Sequence, residues 1–316
     1  MLMALSLTMV AVLVIVGVSL DLIFGEIRRC HPLVGFGRLA NLLERGFNQG
    51  EHKYWMGVLA WMLAVLPLVL IAYWTICWSA ALGLWIGIGI HAALLYFSLG
   101  LRSLCDHTLP IERALTQNNL AQARYLTARI VSRDTAHAEA PELAKASVES
   151  LLENGNDAVF GTLFWFMVAG GAGALLFRLA NTLDAMWGYR TSRYHAFGCV
   201  AARIDDALNW IPARLTALSY ALLGNTRQAL HCWHTQAPHW SSPNAGPVMA
   251  AGAGALGLTL GGAASYDDVI EDRPILGVGR AAGATDIGRA LQLVVSTILL
   301  WVVMLSIAAF ISFLEG

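Results

Sequence analysis

The chain has 316 residues, of which 57% are hydrophobic and only 13% are charged, and its mean hydropathy is +0.59. An average soluble domain is about one quarter charged, so this composition excludes a disordered chain and an ordinary soluble globule. The net charge of −1 excludes a nucleic-acid binder driven by bulk positive charge. Lysine and arginine are absent from 1–24, 55–100, 158–177 and 291–316. This distribution predicts an integral membrane protein whose partner is the lipid bilayer.

Four segments are apolar and long enough to cross the hydrocarbon core, which takes about 20 helical residues. They cover residues 1–20, 55–76, 80–100 and 291–314. The first lacks the basic start and the cleavage site of a signal peptide, so we interpret it as an anchor helix. The sequence therefore predicts an all-α polytopic membrane protein with at least four transmembrane helices, organised as one domain over 1–316.

Basic side chains indicate the orientation of these helices, because lysine and arginine are retained on the cytoplasmic side. They occur in residues 25–54 and 101–157, whereas the turn near 79–83 carries none. This alternation places 25–54 and the helical segment 101–157 in the cytoplasm, and it places the N-terminus outside.

Two central stretches are apolar but carry conflicting signals. Residues 158–177 are apolar enough to cross the membrane, yet crossing would export the arginines that follow. Residues 228–266 lack Lys, Arg, Asp and Glu but contain the turn-forming run 242–244. Irregular backbone at membrane depth is tolerated only where protein or a water-filled cavity surrounds it. We expect both stretches to be embedded or re-entrant, or to form a crossing pair.

Three carboxylates recur four residues apart near the end of the cytoplasmic segment. Glu149, Glu153 and Asp157 share one helical face, and no basic residue lies between Lys145 and Arg178 to pair with them. Unpaired carboxylates that enter an apolar region are costly unless a cation or a partner satisfies them. The pattern favours Mg²⁺, which takes one or two carboxylates together with substrate phosphates. A merely solvated helix face is the alternative.

Two further polar clusters follow the apolar run 158–177. They combine amides, carboxylates and arginines at short spacing: Asn181 and Asp184, then Arg203, Asp205, Asp206, Asn209 and Arg214. Because arginine forks bind phosphate and carboxylate bidentately, such clusters suit a phosphorylated, charged substrate at the cytoplasmic face. The alternative is a local ion pair between Arg203 and Asp206, although a surface pair contributes little stability.

The sequence lacks the motifs of several common types of binding site. The glycines at 252, 254 and 257 have no βαβ context for a dinucleotide fingerprint, so we expect them to serve close helix packing. No GxxxxGK[ST] sequence occurs, so an ATP site here is not a P-loop. The five cysteines form no CxxC pair, which argues against a zinc site or a disulfide framework.

Short motifs in a fixed order nevertheless run along nearly the whole chain. They are Asp21 with Gly25, then 31–35, 132–135, 147–150, Glu153 with Asn154 and Asp157, 181–186 with 188–189, 202–206 with Asn209, 212–215, 242–246 and 252–262. In this order they resemble the adenosylcobinamide-phosphate synthases of cobalamin biosynthesis, the membrane enzymes called CobD or CbiB. The sequence departs from that family's usual pattern at Ser132, at Thr162 and at 247–249.

The resemblance implies an enzyme of the cell inner membrane whose active site faces the cytoplasm. It implies an ATP-dependent amide ligase that joins (R)-1-aminopropan-2-ol, or its O-phosphate, to a carboxylate of adenosylcobyric acid. Because making an amide in water is uphill, activation by ATP through an acyl phosphate is expected. Mg²⁺ and ATP are the implied cofactor and cosubstrate, and other late cobalamin-assembly enzymes are implied partners.

The candidate site residues fall into three groups. The catalytic candidates are Arg133, Asp134, Glu149, Asn154, Arg203 and Asp205. The candidates for substrate binding are His31, Asn181, Asn209, Arg214, Ser242 and Asn244. The candidates for metal binding are Glu153, Asp157, Asp184 and Asp206. The arginines would neutralise charge as it develops, the asparagines would orient substrates, and a carboxylate or His31 would serve as general base.

Two other functions compete with this one. A Mg-dependent membrane prenyl- or phospho-transferase would use an acidic cluster such as 205–209, but no second aspartate-rich repeat occurs. A transporter or a non-catalytic scaffold for corrinoid assembly would show charges inside the apolar spans and an internal repeat.

Overall fold

The computed structural model describes residues 5–26, 32–266 and 269–315. Over these ranges the chain is mainly helical, as predicted. In chain order the helices are α1 (Leu7–Phe24), α2 (Pro32–Phe47), α3 (Lys53–Leu82), α4 (Leu84–Ser98), α5 (Leu101–Thr116), α6 (Leu120–Thr127), α7 (Ala140–Gly155), α8 (Gly161–Trp187), α9 (Cys199–Leu223), α10 (Thr226–Gln236), α11 (Ala245–Leu256) and α12 (Ala284–Glu315). A π-helical turn, Asn156–Phe160, joins α7 to α8, and a 3₁₀ turn, Ala237–His239, follows α10.

Within the described part of the chain, five helical stretches are long and apolar enough to cross a membrane. They are Leu7–Phe24, Lys53–Ser79, Leu84–Thr116, Ala140–Trp187 and Ala284–Glu315. Each of the four predicted spans overlaps one of them, so the polytopic helical fold is confirmed. The fifth contains the stretch 158–177.

The chain divides into two compact units. The first comprises Met1–Gly100, Asp157–Asn209 and Met304–Gly316. In it, α4 packs against α1, α3 and α8, and α2 packs against α3 and α8. A core of small and aromatic side chains joins α2, α3, α8 and α9, and Trp187 meets Phe197 edge-on with ring centroids 5.0 Å apart. Small residues let these helices approach closely.

Helix α8, which belongs to the first unit, is interrupted at Ala169 and Gly170. Ala169 has a φ of −137° and Gly170 a φ of +60°, both outside the helical region. The Gly171 N–H, which the break leaves without its helical acceptor, donates to Nδ1 of buried His91 on α4 at 2.9 Å. The apolar run 158–177 is therefore a broken helix.

The second unit comprises Leu101–Asn156 and Trp210–Val303. Helix α7 packs against α5, α6 and α11, and α10 packs against α11. Helix α11 is buried from Ala245 to Gly254, but its 12 residues rise only about 18 Å, less than the roughly 30 Å of a hydrocarbon core. The turn predicted at 242–244 precedes α11.

Short strands that were not predicted from the sequence follow α11. They are β1 (Leu258–Gly261), β2 (Ala264–Tyr266), β3 (Val269–Glu271), β4 (Ile275–Leu276) and β5 (Arg280–Ala281). Strand β1 pairs antiparallel with β4 and parallel with β5, and β2 pairs antiparallel with β3. Strand β1 also packs against α7 and α11, which places its last residue, Gly261, near the functional side chains of α7.

Candidate functional site

A buried ion network in the second unit centres on Glu149 of α7, which is 2% exposed. Its Oε1 accepts a hydrogen bond from the Gly261 N–H at 2.7 Å. Its Oε2 is ion-paired with Nη2 of Arg133 and lies 3.3 Å from Nη1 of Arg273. We call these residues, together with Lys145, the Glu149 network. Lys145, one turn earlier on α7, donates its Nζ to the Gly261 carbonyl at 2.9 Å.

The network corrects one prediction. Glu149 is not an unpaired carboxylate, because arginines distant in sequence supply the cations that its own helix lacks. Arg133 comes from the loop before α7, and Arg273 comes from the segment between β3 and β4. Glu149 therefore orients two arginines, and this removes the charge argument for a metal ion at that residue.

A cavity of about 350 Å³ lies beside the network. Its polar lining includes Arg133, Asp134, His137, Glu142, Lys145 and Ser265. The Asp134 N–H donates to the Ser265 carbonyl at 2.9 Å, which ties the loop after α6 to β2. Two predicted catalytic residues, Arg133 and Asp134, thus line one cavity together with Lys145.

The first unit holds an amide–carboxylate cluster, formed by Asp157, Asn181, Asp205 and Asn209. The Nδ2 of Asn209 donates to Oδ1 of Asp157 at 3.2 Å and to Oδ2 of Asp205 at 3.1 Å. The Nδ2 of Asn181 lies 3.3 Å from Oδ1 of Asp205. The π-helical turn, α8 and α9 each contribute to the cluster, and π-helical turns are frequent at functional sites. Four predicted site residues therefore do come together.

Asp205 is the most buried carboxylate of this cluster. Burial raises its pKa to about 6, and the neighbouring charge of Asp206 acts in the same direction. The hydrogen bonds from Asn209 and Asn181 oppose these effects, because they favour the ionised carboxylate. Asp205 therefore titrates closer to neutral pH than an exposed aspartate does.

The oxygen atoms of the amide–carboxylate cluster are suitable ligands for a Mg²⁺ ion that is also bound by phosphates. Carboxylate and amide oxygens are the ligands that this ion prefers. Nowhere in the described ranges do three His, Cys, Asp or Glu side chains group closely enough to hold a metal ion. The cluster thus suits an ion that arrives with phosphates and needs one or two carboxylates.

Three predicted substrate-binding residues meet at the start of α11. Nη1 of Arg214 donates to Oδ1 of Asn244 at 2.7 Å, and its Nη2 donates to the Pro243 carbonyl at 3.0 Å. Oγ of Ser242 accepts from the Ala245 N–H at 3.1 Å. The guanidinium of Arg214 also lies over the ring of Trp210, 4.6 Å from its centroid. These contacts build the turn before α11, and substrate binding there stays a prediction.

The remaining predicted residues are more scattered. Asn154 makes local hydrogen bonds, through Nδ2 to the Ser150 carbonyl at 2.8 Å and to its Oγ at 3.1 Å. Arg203 is exposed. Glu153, Asp184 and Asp206 are half-buried. His31 lies outside the described residues.

Sequence reasoning missed two members of the Glu149 network, Arg273 and Lys145. Lys145 carries a compositional signal, because it is one of only two lysines, the other being Lys53, among 20 basic residues. Lysine differs from arginine in carrying a compact charge on a flexible stem, so its rarity in this chain makes Lys145 stand out. Arg273 carries no local signal, since only the fold brings it to α7.

Comparison with known proteins identifies the chain. A family model described as "CobD/Cbib protein" matches residues 14–294. A relative from Stutzerimonas stutzeri (strain A1501), named "Cobalamin biosynthesis protein CobD", is 55% identical over 92% of this chain and 95% of its own length. Relatives with the same name from Chromobacterium violaceum and Mycobacterium tuberculosis are 49% and 36% identical, covering 93% and 90% of this chain and 95% and 90% of their own lengths. No solved structure matches. The chain therefore belongs to the CobD/Cbib family and has a role in cobalamin biosynthesis.

Proposed function

We propose that the chain is the amide-forming enzyme of corrinoid assembly. It joins (R)-1-aminopropan-2-ol, or its O-phosphate, to a carboxylate of adenosylcobyric acid with consumption of ATP, and it yields adenosylcobinamide or its phosphate. The observation that carries the proposal is the Glu149 network, which fixes cationic side chains beside a cavity in a member of a cobalamin-biosynthesis family. Amide synthesis from a carboxylate and ATP needs such cations, because both reactants are anions.

The Glu149 network supports binding and charge neutralisation. Arg133 and Lys145 present N–H donors to the cavity, and the carboxylate of Glu149 and the carbonyl of Gly261 hold them in place. Preorganised donors of this kind stabilise negative charge as it develops on a reacting group. Glu149 acts through Arg133 and Arg273, so we assign it a positioning role.

The amide–carboxylate cluster supports the handling of the nucleotide. Asp157 and Asp205 would hold Mg²⁺ carried by ATP, with Asp184, Asp206 and Glu153 as further candidate ligands. Mg²⁺ bound there would supply neutralisation of phosphate charge. The amides of Asn181 and Asn209 fix the two carboxylates through hydrogen bonds, so the oxygens keep one orientation.

The same proposal includes a location and partners. The polar segments that hold these residues are rich in arginine, which favours the cytoplasmic side of the inner membrane. Adenosylcobyric acid and ATP are both cytoplasmic reactants in this scheme. Other late enzymes of the assembly are expected neighbours, because the corrinoid passes from one to the next.

Reconstitution tests the function directly. Full-length protein purified in detergent is supplied with adenosylcobyric acid, Mg–ATP and either aminopropanol or aminopropanol phosphate, and the amide product is measured by mass spectrometry. We expect product only when ATP and Mg²⁺ are both present. Asp205→Asn should lower kcat at least about 100-fold while the protein stays folded, and Arg129→Met, at an exposed position, should not change it. Cooperatively folded protein that forms no amide with either amine would overturn the proposal.

A further inference from the structure

An arginine of α8, Arg178, lies beside the amide–carboxylate cluster. It stands one helical turn before Asn181, so the two side chains share a face of α8. Its Nη2 lies 3.6 Å from the position that a Cβ at Gly100 would occupy, and that same Cβ would lie 3.1 Å from the Cβ of Ala158. Because Ala158 directly follows Asp157, the guanidinium lies close to the π-helical turn that carries one carboxylate of the cluster.

The charge of Arg178 is poorly compensated. Its Nε is buried, and no acceptor among the described residues receives a hydrogen bond from it. The carboxylates of Glu26, Asp157 and Asp21 attract the guanidinium through space. The ion pairs in the described part of the chain nevertheless include none with Arg178. A buried charge of this kind is costly, so it points to a role in binding rather than in stability.

An arginine with a structural role has different surroundings, as Arg193 of the same unit shows. Its Nε and Nη2 donate to the two carboxylate oxygens of buried Glu44, at 3.0 and 2.7 Å. Such a bidentate pair compensates the carboxylate and occupies the donors of the fork. Arg178 makes no pair of this kind with a described residue, so its fork is available to a ligand.

The surroundings of Arg178 favour an anion that arrives with a cation. The planar fork of arginine matches the oxygens of phosphate. The carboxylates of Glu26, Asp157 and Asp21 would repel a phosphate that arrives alone. A phosphate that carries Mg²⁺ avoids this repulsion, because the charge of the ion offsets that of the carboxylates. Such a ligand is a magnesium-bound polyphosphate, either a nucleoside triphosphate or inorganic pyrophosphate.

We propose that Arg178 is a binding residue of the amide–carboxylate cluster and pairs with a phosphate group of a polyphosphate held there with Mg²⁺. The inference deepens the proposed function, on which it rests for the presence of a nucleotide at the cluster. It adds a cation to a group of carboxylates and amides. It also sets binding against stability at this residue, because a charge without an ion pair does not stabilise the ligand-free protein.

A lipid phosphate is the competing source of the same chemistry, since α8 belongs to a stretch that is long and apolar enough to cross a membrane. The phosphate of a phospholipid is a diester with one negative charge, and it brings no Mg²⁺. The carboxylates near Arg178 therefore disfavour it, and we commit to the soluble polyphosphate.

Binding and stability are measured on the same preparations. Full-length protein in neutral detergent is titrated calorimetrically with Mg–ATP and with Mg–pyrophosphate, and its thermal unfolding midpoint is measured without ligand. Arg178→Met should weaken both ligands at least about tenfold, as expected for loss of a charge-assisted hydrogen bond, and should not lower the midpoint. Arg178→Lys keeps the charge without the fork, so its affinities should lie between those of Arg178→Met and the wild type. Wild-type affinities in Arg178→Met would overturn the inference.

Arg193→Met is the matched control, because it removes an ion-paired arginine from the same unit. It should bind both ligands like the wild type. Its unfolding midpoint should fall, since buried Glu44 then loses its ion-pair partner. If the midpoint of Arg178→Met falls as far as that of Arg193→Met, Arg178 has a structural role and the inference is wrong.

Further arms separate the ligand sources and the two proposals. Omission of Mg²⁺ should weaken ATP at least about tenfold, and an unchanged affinity would contradict the inference. Short-chain phosphatidylglycerol should not compete with Mg–ATP, whereas competition that requires Arg178 would assign the residue to a lipid phosphate instead. Mg–ATP binding that depends on Arg178, without amide synthesis, would count against the proposed function alone. Amide synthesis with wild-type Mg–ATP affinity in Arg178→Met would count against this inference alone.

Discussion

Glu149 shows how one carboxylate organises a site from residues far apart in the chain. A buried carboxylate is tolerated when cations and hydrogen bonds compensate for its desolvation, and here two guanidiniums and one backbone N–H do so. Removing its charge leaves Arg133 and Arg273 close together in a poorly solvated place. The residue is therefore a requirement for stability as well as for the geometry of the cavity.

We expect Glu149→Gln to lower the free energy of unfolding by about 3 kcal/mol or more, because it breaks a buried ion network. The measurement is the midpoint of thermal unfolding in detergent. Glu271→Gln, at an exposed position of the same unit, is the matched control and should shift the midpoint little. Equal midpoints for wild type and Glu149→Gln would show that the network contributes nothing.

Glu44 is a second buried carboxylate with an arginine partner, in the first unit. It accepts from Arg193 through Nη2 at 2.7 Å and Nε at 3.0 Å, and from Nδ2 of Asn48 at 2.8 Å. The hydrogen bond from Arg193 holds the pKa of Glu44 below its usual 4.5, against the opposing effect of burial. Because the folded pKa is depressed, the stabilisation is present above pH 4.5 and is lost as the pH falls through the folded pKa.

The expected result is a weaker acid sensitivity in Glu44→Gln. Below pH 4.5 the unfolding midpoint of the wild type should fall more steeply than that of the variant, since only the wild type takes up this proton on unfolding. Glu51→Gln, exposed in the neighbouring loop, serves as the control and should follow the wild type. Parallel pH curves for Glu44→Gln and wild type would contradict the prediction.

At the scale of elements, the interruption in α8 depends on a glycine. Gly170 has a φ of +60°, and a Cβ placed there would lie 2.6 Å from Cε1 of His91. The His91 ring is fixed by the hydrogen bond from the Gly171 N–H, so it cannot move away without loss of that bond. Backbone conformation and space therefore both require glycine at this position.

Gly170→Ala should destabilise the protein by about 1–3 kcal/mol, the usual cost of a strained backbone conformation, with the steric clash added. Thermal unfolding in detergent measures the effect. Gly46→Ala in α2 is the matched control, because a Cβ there meets nothing within 4 Å and alanine favours a helix. A Gly170→Ala variant as stable as wild type would show that the interruption of α8 does not require glycine at this position.

Some elements were predictable from the sequence and others were not, for physical reasons. Apolar runs of about 20 residues predict α1, α3, α4 and α12, because the bilayer sets the length and every position contributes. Strands of two to four residues, such as β1 and β4, carry too little periodicity to predict, and their pairing joins segments more than ten residues apart. The π-helical turn depends on packing around Asn156–Phe160 rather than on its own residue types.

In the candidate site, too, contacts between residues distant in sequence could not be predicted from local patterns. The sequence placed Asp205 and Asn209 in one polar cluster, and in the structure these two side chains do hydrogen-bond. The partnership of Glu149 with Arg273, 124 residues away, required the fold. Local spacing therefore located the polar clusters, and tertiary contacts decided which charges are compensated.

At the scale of the whole molecule, the path of the chain through the membrane between α7 and α9 determines on which side the C-terminus lies. The helical stretch Ala140–Trp187 is long and apolar enough to cross, yet its apolar window is 61% buried, against 28–39% for the other four candidates. It is also broken at Ala169–Gly170. Broken helices occur at membrane depth where protein surrounds them, so burial and break together favour a re-entrant segment.

A re-entrant path has a consequence at the C-terminus. If 158–177 does not cross, the arginine-rich segment 178–290 stays in the cytoplasm, α12 crosses outward, and the C-terminus lies outside. If 158–177 crosses, the C-terminus lies in the cytoplasm instead. Basic residues are retained on the cytoplasmic side, so export of the arginine-rich segment 178–290 is disfavoured. We therefore expect the C-terminus to lie outside.

Reporter fusions decide between the two paths. Alkaline phosphatase, active only outside the cytoplasm, should be active when fused after Gly316, and green fluorescent protein at the same site should be dark. Fusions after Gly50 and after Gly83 calibrate the assay, with fluorescence expected at the first and phosphatase activity at the second. A fluorescent C-terminal fusion would place Arg190, Arg193 and Arg203 outside. It would separate the amide–carboxylate cluster from the cytoplasmic pool of ATP, and the proposed function would then fail with the topology.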